Sequence, residues 1–197
     1  MGMTISYEFA RFLSETSAVR FGNFRLKSGR ETDVFFNLGE IATGKELIEL
    51  GGYFADYLVA KRLHTCDMIF GPAYKGINIA IATCIALHQR HGITMPFAYN
   101  RKAEKTHAEG GLFVGFDLAR AKSALVLDDV ITDGGTKYET IKMLSKFPQL
   151  KINAFVVGVD RQEIDTSGPP FREIFEKATG IELLALTTKD QVLAFRK

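Results

Sequence analysis

The feature that most constrains this chain is the run Ala124-Leu125-Val126-Leu127-Asp128-Asp129-Val130-Ile131-Thr132-Asp133-Gly134-Gly135-Thr136, which passes directly into a helix-like segment at 137–147. An apolar run ending in two acids, then Thr, two Gly and Thr, predicts a buried parallel strand, a tight turn and a helix N-terminus. Gly134 and Gly135 allow the positive φ that a concave row of backbone N–H groups requires. The helix start adds partial positive charge, and the hydroxyls of Thr132 and Thr136 are further donors. Such a turn suits a phosphate monoester. Asp128 and Asp129 would repel a bare phosphate unless they faced sugar hydroxyls or a divalent cation, so a phosphorylated sugar with Mg²⁺ satisfies every group present. On these residues alone, a plain strand end with a capping Asp and a Gly-rich turn stays open. The chain has no Gly-x-x-x-x-Gly-Lys-Ser/Thr and no Gly-x-Gly-x-x-Gly after a strand, which excludes a P-loop and a dinucleotide fingerprint.

The chain as a whole fits a single catalytic domain. Its 197 residues, 46% of them hydrophobic, suffice for one substantial core with a small appended subdomain. A net charge of +2 with scattered basic residues points to neither nucleic acid nor a membrane surface, so a small-molecule partner is expected. The longest apolar run, 77–87, is too short to span a bilayer, and the N-terminus has no signal-like apolar stretch; the expected location is cytoplasmic. Cys66 and Cys84 lack Cys-x-x-Cys spacing and read as free thiols.

Taken in order, Ile5, Phe9, Phe12 and Leu13 fall at helical spacing and predict an amphipathic helix over 6–16. A hairpin-like element outside the main sheet is expected from 24–30 and 33–38. Within it, adjacent Phe35 and Phe36 must point to opposite faces, one buried and the other able to line a cleft. Lys27 reads by default as a solvated turn lysine. A helix over 45–63 and a strand over 67–70 lead to the loop Gly71-Pro72-Ala73-Tyr74-Lys75-Gly76, which offers backbone N–H groups and Lys75 at the carboxyl end of a parallel strand. If that strand neighbours the one ending at Asp128, the two loops lie side by side. After a strand over 95–99, residues 100–111 have no apolar period and predict an exposed, mobile loop closed by the hinge Gly110-Gly111. Such a loop could be a solvated face or a lid that brings Arg101, Lys102, Lys105 and His107 onto a leaving pyrophosphate. His64, His88 and His91 read as surface residues. A strand over 152–159 ends in Asp160-Arg161-Gln162-Glu163, and a helix over 171–179 and a strand over 181–187 follow. Alternating strands and helices predict an α/β fold with a mostly parallel sheet and helices on both faces.

The string from Val126 to Thr136 resembles the phosphoribosyl pyrophosphate (PRPP) motif of type I phosphoribosyltransferases. More narrowly, Gly71-Pro72-Ala73-Tyr74-Lys75-Gly76 and Arg101-Lys102-x-x-Lys105-x-His107-x-Glu109-Gly110-Gly111 resemble loops of orotate phosphoribosyltransferases. In the second loop Thr106 and Ala108 stand where the family often has Asp and Gly. The resemblance implies the type I fold over 1–197, with residues 1–40 contributing a small N-terminal hood. It implies conversion of orotate and PRPP to orotidine 5′-monophosphate and pyrophosphate, with Mg²⁺ held mainly through PRPP near Asp128 and Asp129. It also implies a homodimer whose lid loops reach into the partner's site. Lys27, Tyr74, Lys75, Arg101, Lys102, Lys105 and His107 would contact PRPP, as would Asp128, Asp129, Val130, Ile131, Thr132, Asp133, Gly134, Gly135 and Thr136. Lys102, Lys105, His107, Asp128 and Asp129 would be catalytic, and Phe35, Phe36, Thr132 and Arg161 would hold orotate. Two alternatives fit the residues less well: a non-catalytic PRPP sensor would have no use for the lid cations, and a purine phosphoribosyltransferase none for a carboxylate-binding Arg161.

Overall fold

Strand β6 (Ser123–Ile131) is buried along nearly its whole length, so it must carry an apolar layer on each face. Leu125 and Leu127 face one layer, Ala124 and Val126 the other. The same division runs through β7 (Lys151–Asp160), where Ala154 and Val156 oppose Phe155 and Val157. The computed structural model describes residues 2–25, 31–105, 111–131, 134–163 and 168–196.

Around β6 the sheet is completed by β3 (Met68–Gly71), β4 (Phe97–Lys105), β5 (Gly111–Gly115) and β8 (Glu182–Thr188), in the order β5-β4-β3-β6-β7-β8. All neighbours run parallel except β4 and β5. One face is covered by α1 (Gly2–Ser14), α2 (Gly44–Ala60), α3 (Lys75–His91) and the short α6 (Lys189–Leu193), the other by α4 (Gly135–Leu144) and α5 (Phe171–Thr179). The expected mostly parallel sheet with helices on both faces is therefore present. Helix α1 turns Phe9 and Leu13, both fully buried, into the first layer. Helix α2 starts in a reciprocal cap, in which the Glu46 N–H donates to Thr43 Oγ1 while the Thr43 N–H donates to the Glu46 carboxylate.

Antiparallel β1 (Val19–Arg25) and β2 (Glu31–Phe36) form a separate two-stranded sheet. This is the expected hairpin, but β1 starts five residues before the expected 24–30, because Val19 can pair with Phe36 and enter the core beside it. The expected mobile loop at 100–111 needs a larger correction. Residues up to Lys105 continue β4 and pair with β5 from Gly111 onward. Backbone pairing and the packing of Phe113 against Phe70 and Phe147 hold this hairpin, and the polar run at 101–105, broken only by Ala103, hid it from an apolar-period reading. Only 106–110 remain between the strands, and they lie outside the described residues.

The α2–α3 contact is close because Gly51 faces Ala82. A Cβ at Gly51 would overlap the Ala82 carbonyl, which is backbone and cannot swing away. Gly51→Ala is expected to lower stability by about 1–3 kcal/mol, the usual cost of overpacking, as read by urea denaturation. A midpoint equal to that of the wild type would show that the two helices separate freely.

Candidate active site

Strands β3 and β6 lie side by side, so the loops that follow them are neighbours at the carboxyl edge of the sheet. The chain leaves β3 into α3 on one face and leaves β6 into α4 on the other, which makes this the switch point of the sheet. Side chains that end these two strands are therefore directed at one place.

Asp128 and Asp129 end the apolar run of β6, and both are 6% exposed. As consecutive strand residues they point to opposite faces. Asp128 meets Lys137 from the first turn of α4, with Nζ 2.8 Å from Oδ2. Asp129 meets Lys75 from the first turn of α3, with Nζ 2.6 Å from Oδ2. The remaining oxygens accept from the backbone: the Asp129 N–H donates to Asp128 Oδ1 and the Val130 N–H to Asp129 Oδ1, each at 2.9 Å. Burial raises the Asp129 carboxyl above the usual carboxylate range, and the neighbouring Asp128 charge adds to the rise; Lys75 opposes both.

Sequence reasoning passed over Lys137. It reads as an exposed residue in the first turn of a helix, yet its side chain is 3% exposed and its Nζ also donates to the Val130 carbonyl at 2.6 Å. A cation two residues after Gly134-Gly135, close in sequence to two acids at the end of an apolar run that need charge compensation, was the signal available.

Gly134 has φ +76°, as the turn requires, and the Phe171 ring occupies the space a side chain would take. Gly135 does not share that conformation; it is already the first residue of α4. Val130 and Ile131 are buried, one in each apolar layer, and Thr136 is exposed on the first turn of α4. In the loop after β3 the Ala73 N–H donates to Asn100 Oδ1 at 2.9 Å, which ties that loop to β4. The Ala73–Tyr74 peptide bond is cis. Tyr74 is exposed, and Lys102 Nζ lies 5.8 Å from its ring centroid. Arg101 donates to the Gly111 carbonyl at 3.0 Å, across the β4–β5 hairpin. On β2, Phe36 is in the core, so only its backbone is left for a ligand, while Phe35 lies on the other face against Phe24. Arg161, just beyond β7, pairs at 2.6 Å with Glu163, and its side chain is 11% exposed. Lys27, His107, Thr132, Asp133 and the side chain of Lys105 lie outside the described residues.

Several groups stand apart from this edge. His88 and His91 are exposed, as expected, whereas His64 is half-buried. Both cysteines are free, and burial alone pushes Cys84 up to about 12, which leaves it an inert thiol.

A mostly parallel sheet carrying an acid pair and a Gly-rich helix start at its switch point, with a separate β-hairpin, is the arrangement that the resemblance to type I phosphoribosyltransferases implies. No family model matches the chain. Over 188 residues it is 37% identical to an orotate phosphoribosyltransferase of Pseudomonas fluorescens, covering 95% of this chain and 86% of that protein. Its structure superposes with a TM-score of 0.80 on the orotate phosphoribosyltransferase of Francisella tularensis, at 34% identity over 95% of this chain and 89% of the other. The Mycobacterium tuberculosis enzyme in complex with PRPP superposes at 0.66 over 95% of this chain and 98% of that one, and at 17% identity it shows the fold alone. The chain belongs to the orotate phosphoribosyltransferase family.

The raised Asp129 carboxyl has a consequence for stability. With its folded pKa above the unfolded one, the folded chain binds more protons between those two values, so stability falls as pH rises through that window. Asp129→Asn is expected to melt above the wild type at neutral pH, with the difference closing as pH drops below the ordinary carboxylate range. A variant that melts below the wild type at neutral pH would show that the Lys75 pair outweighs the burial.

Proposed function

We propose that this chain transfers the phosphoribosyl group of PRPP to N1 of orotate, giving orotidine 5′-monophosphate and pyrophosphate in pyrimidine nucleotide synthesis. The observation that carries the reading is the buried acid pair, with Lys75 against it, at the switch point of a chain 37% identical to a named orotate phosphoribosyltransferase over 95% of its length. The C1′–oxygen bond to pyrophosphate breaks as the N1–C1′ bond forms, so positive charge develops on the ribose ring and negative charge on the leaving group. Little proton transfer is needed. Catalysis then rests on positioning and on donors aimed at the departing charge, of which one well-placed group contributes ~3–4 kcal/mol.

In this reading Lys75, Tyr74 and Arg101 serve the pyrophosphate, together with Lys102, Lys105 and His107 from the β4–β5 hairpin and its connection. Lys27, the acids and the turn through Thr132, Asp133, Gly134, Gly135 and Thr136 hold the ribose phosphate. Residues 1–40 act as a hood. The donor set suits Mg²⁺ held largely by the substrate: among the described residues no cluster of three metal-ligating side chains occurs, and each acid already faces a lysine. When bound, the ion would offset charge on the pyrophosphate. No described helix is long and apolar enough to cross a membrane, which suits the expected cytoplasmic setting.

The test is loss of orotate absorbance with PRPP and Mg²⁺, run beside uracil, adenine and hypoxanthine. Consumption of a purine in place of orotate would overturn the assignment.

On the orotate side, Arg161 is the group suited to a carboxylate, because a planar guanidinium can donate to both oxygens, and it pairs with the Glu163 carboxylate. Arg161→Ala removes a charge-assisted hydrogen bond, which costs roughly 1.5–3 kcal/mol. Apparent orotate affinity should fall while PRPP binding barely changes. Equal loss for both substrates would make Arg161 structural.

The dimer belongs to the same proposal. Ile48 and Ile85, 63% and 51% exposed, border a groove with Leu47 and Ile81 on the outer face of α2 and α3, an apolar surface suited to a second copy. A lid shared across a two-fold dimer is tested by mixing Lys105→Ala with Asp128→Asn/Asp129→Asn under subunit exchange. Acting in trans, one site in each mixed dimer is intact, so activity should return to about half the wild-type value per mixed dimer. No recovery, with exchange confirmed, would show that each subunit closes its own site.

A further inference from the structure

The two acids are not equivalent, and the difference lies in their lysines. Lys75 leaves 42% of its side chain exposed and reaches Asp129 with its Nζ, so it can swing to an incoming anion. Lys137 is 3% exposed and makes two contacts, one to the Asp128 carboxylate and one to the Val130 carbonyl. Those contacts join the first turn of α4 to the last residues of β6. The segment between the joined points is the phosphate turn. A buried lysine so held has nowhere else to go.

We infer that Lys137 is a positioning residue for PRPP: acting through Asp128, it fixes the ends of the phosphate turn and permanently compensates one of the two acidic charges. This rests on the reading of the site as a PRPP site and adds the division of labour within it. Asp129 changes partner when substrate arrives, because Lys75 can leave it. Asp128 keeps its partner throughout. The division removes a difficulty already visible in the sequence, that two carboxylates beside a phosphate should repel it. With Lys137 in place, only one acid is uncompensated after Lys75 moves, and that acid faces the ribose hydroxyls.

In the wild-type background Asp128→Asn should weaken PRPP binding, because Lys137 loses its partner and the turn its brace. In the Lys137→Met background the same change should strengthen binding, because it removes an uncompensated carboxylate. PRPP binding with Mg²⁺ is read directly by titration calorimetry, below the melting temperature of each variant. Lys137→Met is expected to lose about tenfold or more in PRPP affinity, the equivalent of ~1.4 kcal/mol, and the double variant Asp128→Asn/Lys137→Met should regain part of it. Should Lys137→Met not fold, Lys137→Gln, which keeps a donor toward the Val130 carbonyl and loses only the charge, carries the same comparison. A lysine that merely supports the fold would lower the melting temperature and leave PRPP affinity unchanged, which overturns the inference. The inference also fails if Asp128→Asn costs the same factor in both backgrounds. Because binding is measured without orotate, a wild type that binds PRPP and ignores orotate refutes only the assignment of the base. One that binds no PRPP refutes both.

Discussion

Two carboxylates buried at the end of the central strand are the constraint on which the rest of the site depends. Taking an acid out of water is costly unless a cation and hydrogen bonds replace the lost hydration. Asp128 and Asp129 sit in β6 between two apolar layers, and each finds one lysine and one backbone N–H. Because the two side chains point to opposite faces, one lysine could not serve both. The helices that supply the cations must start beside the strand end on opposite faces, and this is where α3 and α4 start. The switch point of the sheet and the charge balance of the site are the same geometric fact.

Most of the fold was legible in the sequence because the buried strands leave long apolar runs and the helices leave 3.6-residue periods. β6, β7, α1 and α5 come out of those patterns within a few residues. The β4–β5 hairpin did not. From Arg101 to Lys105 its residues are polar apart from Ala103, so this extension of β4 leaves no apolar period, while β5 is anchored by Phe113 against Phe70 and Phe147. The shift of β1 has a related cause: the register is set by Val19 and Phe36 entering the core together, a long-range pairing that local turn signals cannot specify.

The candidate site was legible where the residue type itself carries the chemistry. Acids after an apolar strand, glycines before a helix and a lysine in a glycine-bracketed loop are unusual enough to read directly. Lys137 was not, because a lysine in the first turn of a helix is ordinarily solvated. What buries it is the placement of α4 against β6, a tertiary property. Phe36 went the other way: adjacent phenylalanines on a strand must split between two faces, and only the packing of β2 decides that Phe36 goes to the core and Phe35 to the Phe24 side.

The charges at this edge also bear on which ligand the site can accept. Asp128 faces Lys137, Asp129 faces Lys75 and Arg161 faces Glu163, so each of these charges is compensated within the chain. An anion that draws Lys75 away leaves Asp129 buried and uncompensated, and an anion that takes Arg161 does the same to Glu163. Phosphate or pyrophosphate alone therefore gains one ion pair by breaking another, and the desolvated acid left behind offsets most of the gain. A ligand that brings hydroxyl donors or a bound cation to the acid it exposes avoids that cost. The preference for a phosphorylated sugar over a bare anion thus follows from the acids that the site must keep satisfied as much as from the cations that attract the phosphate.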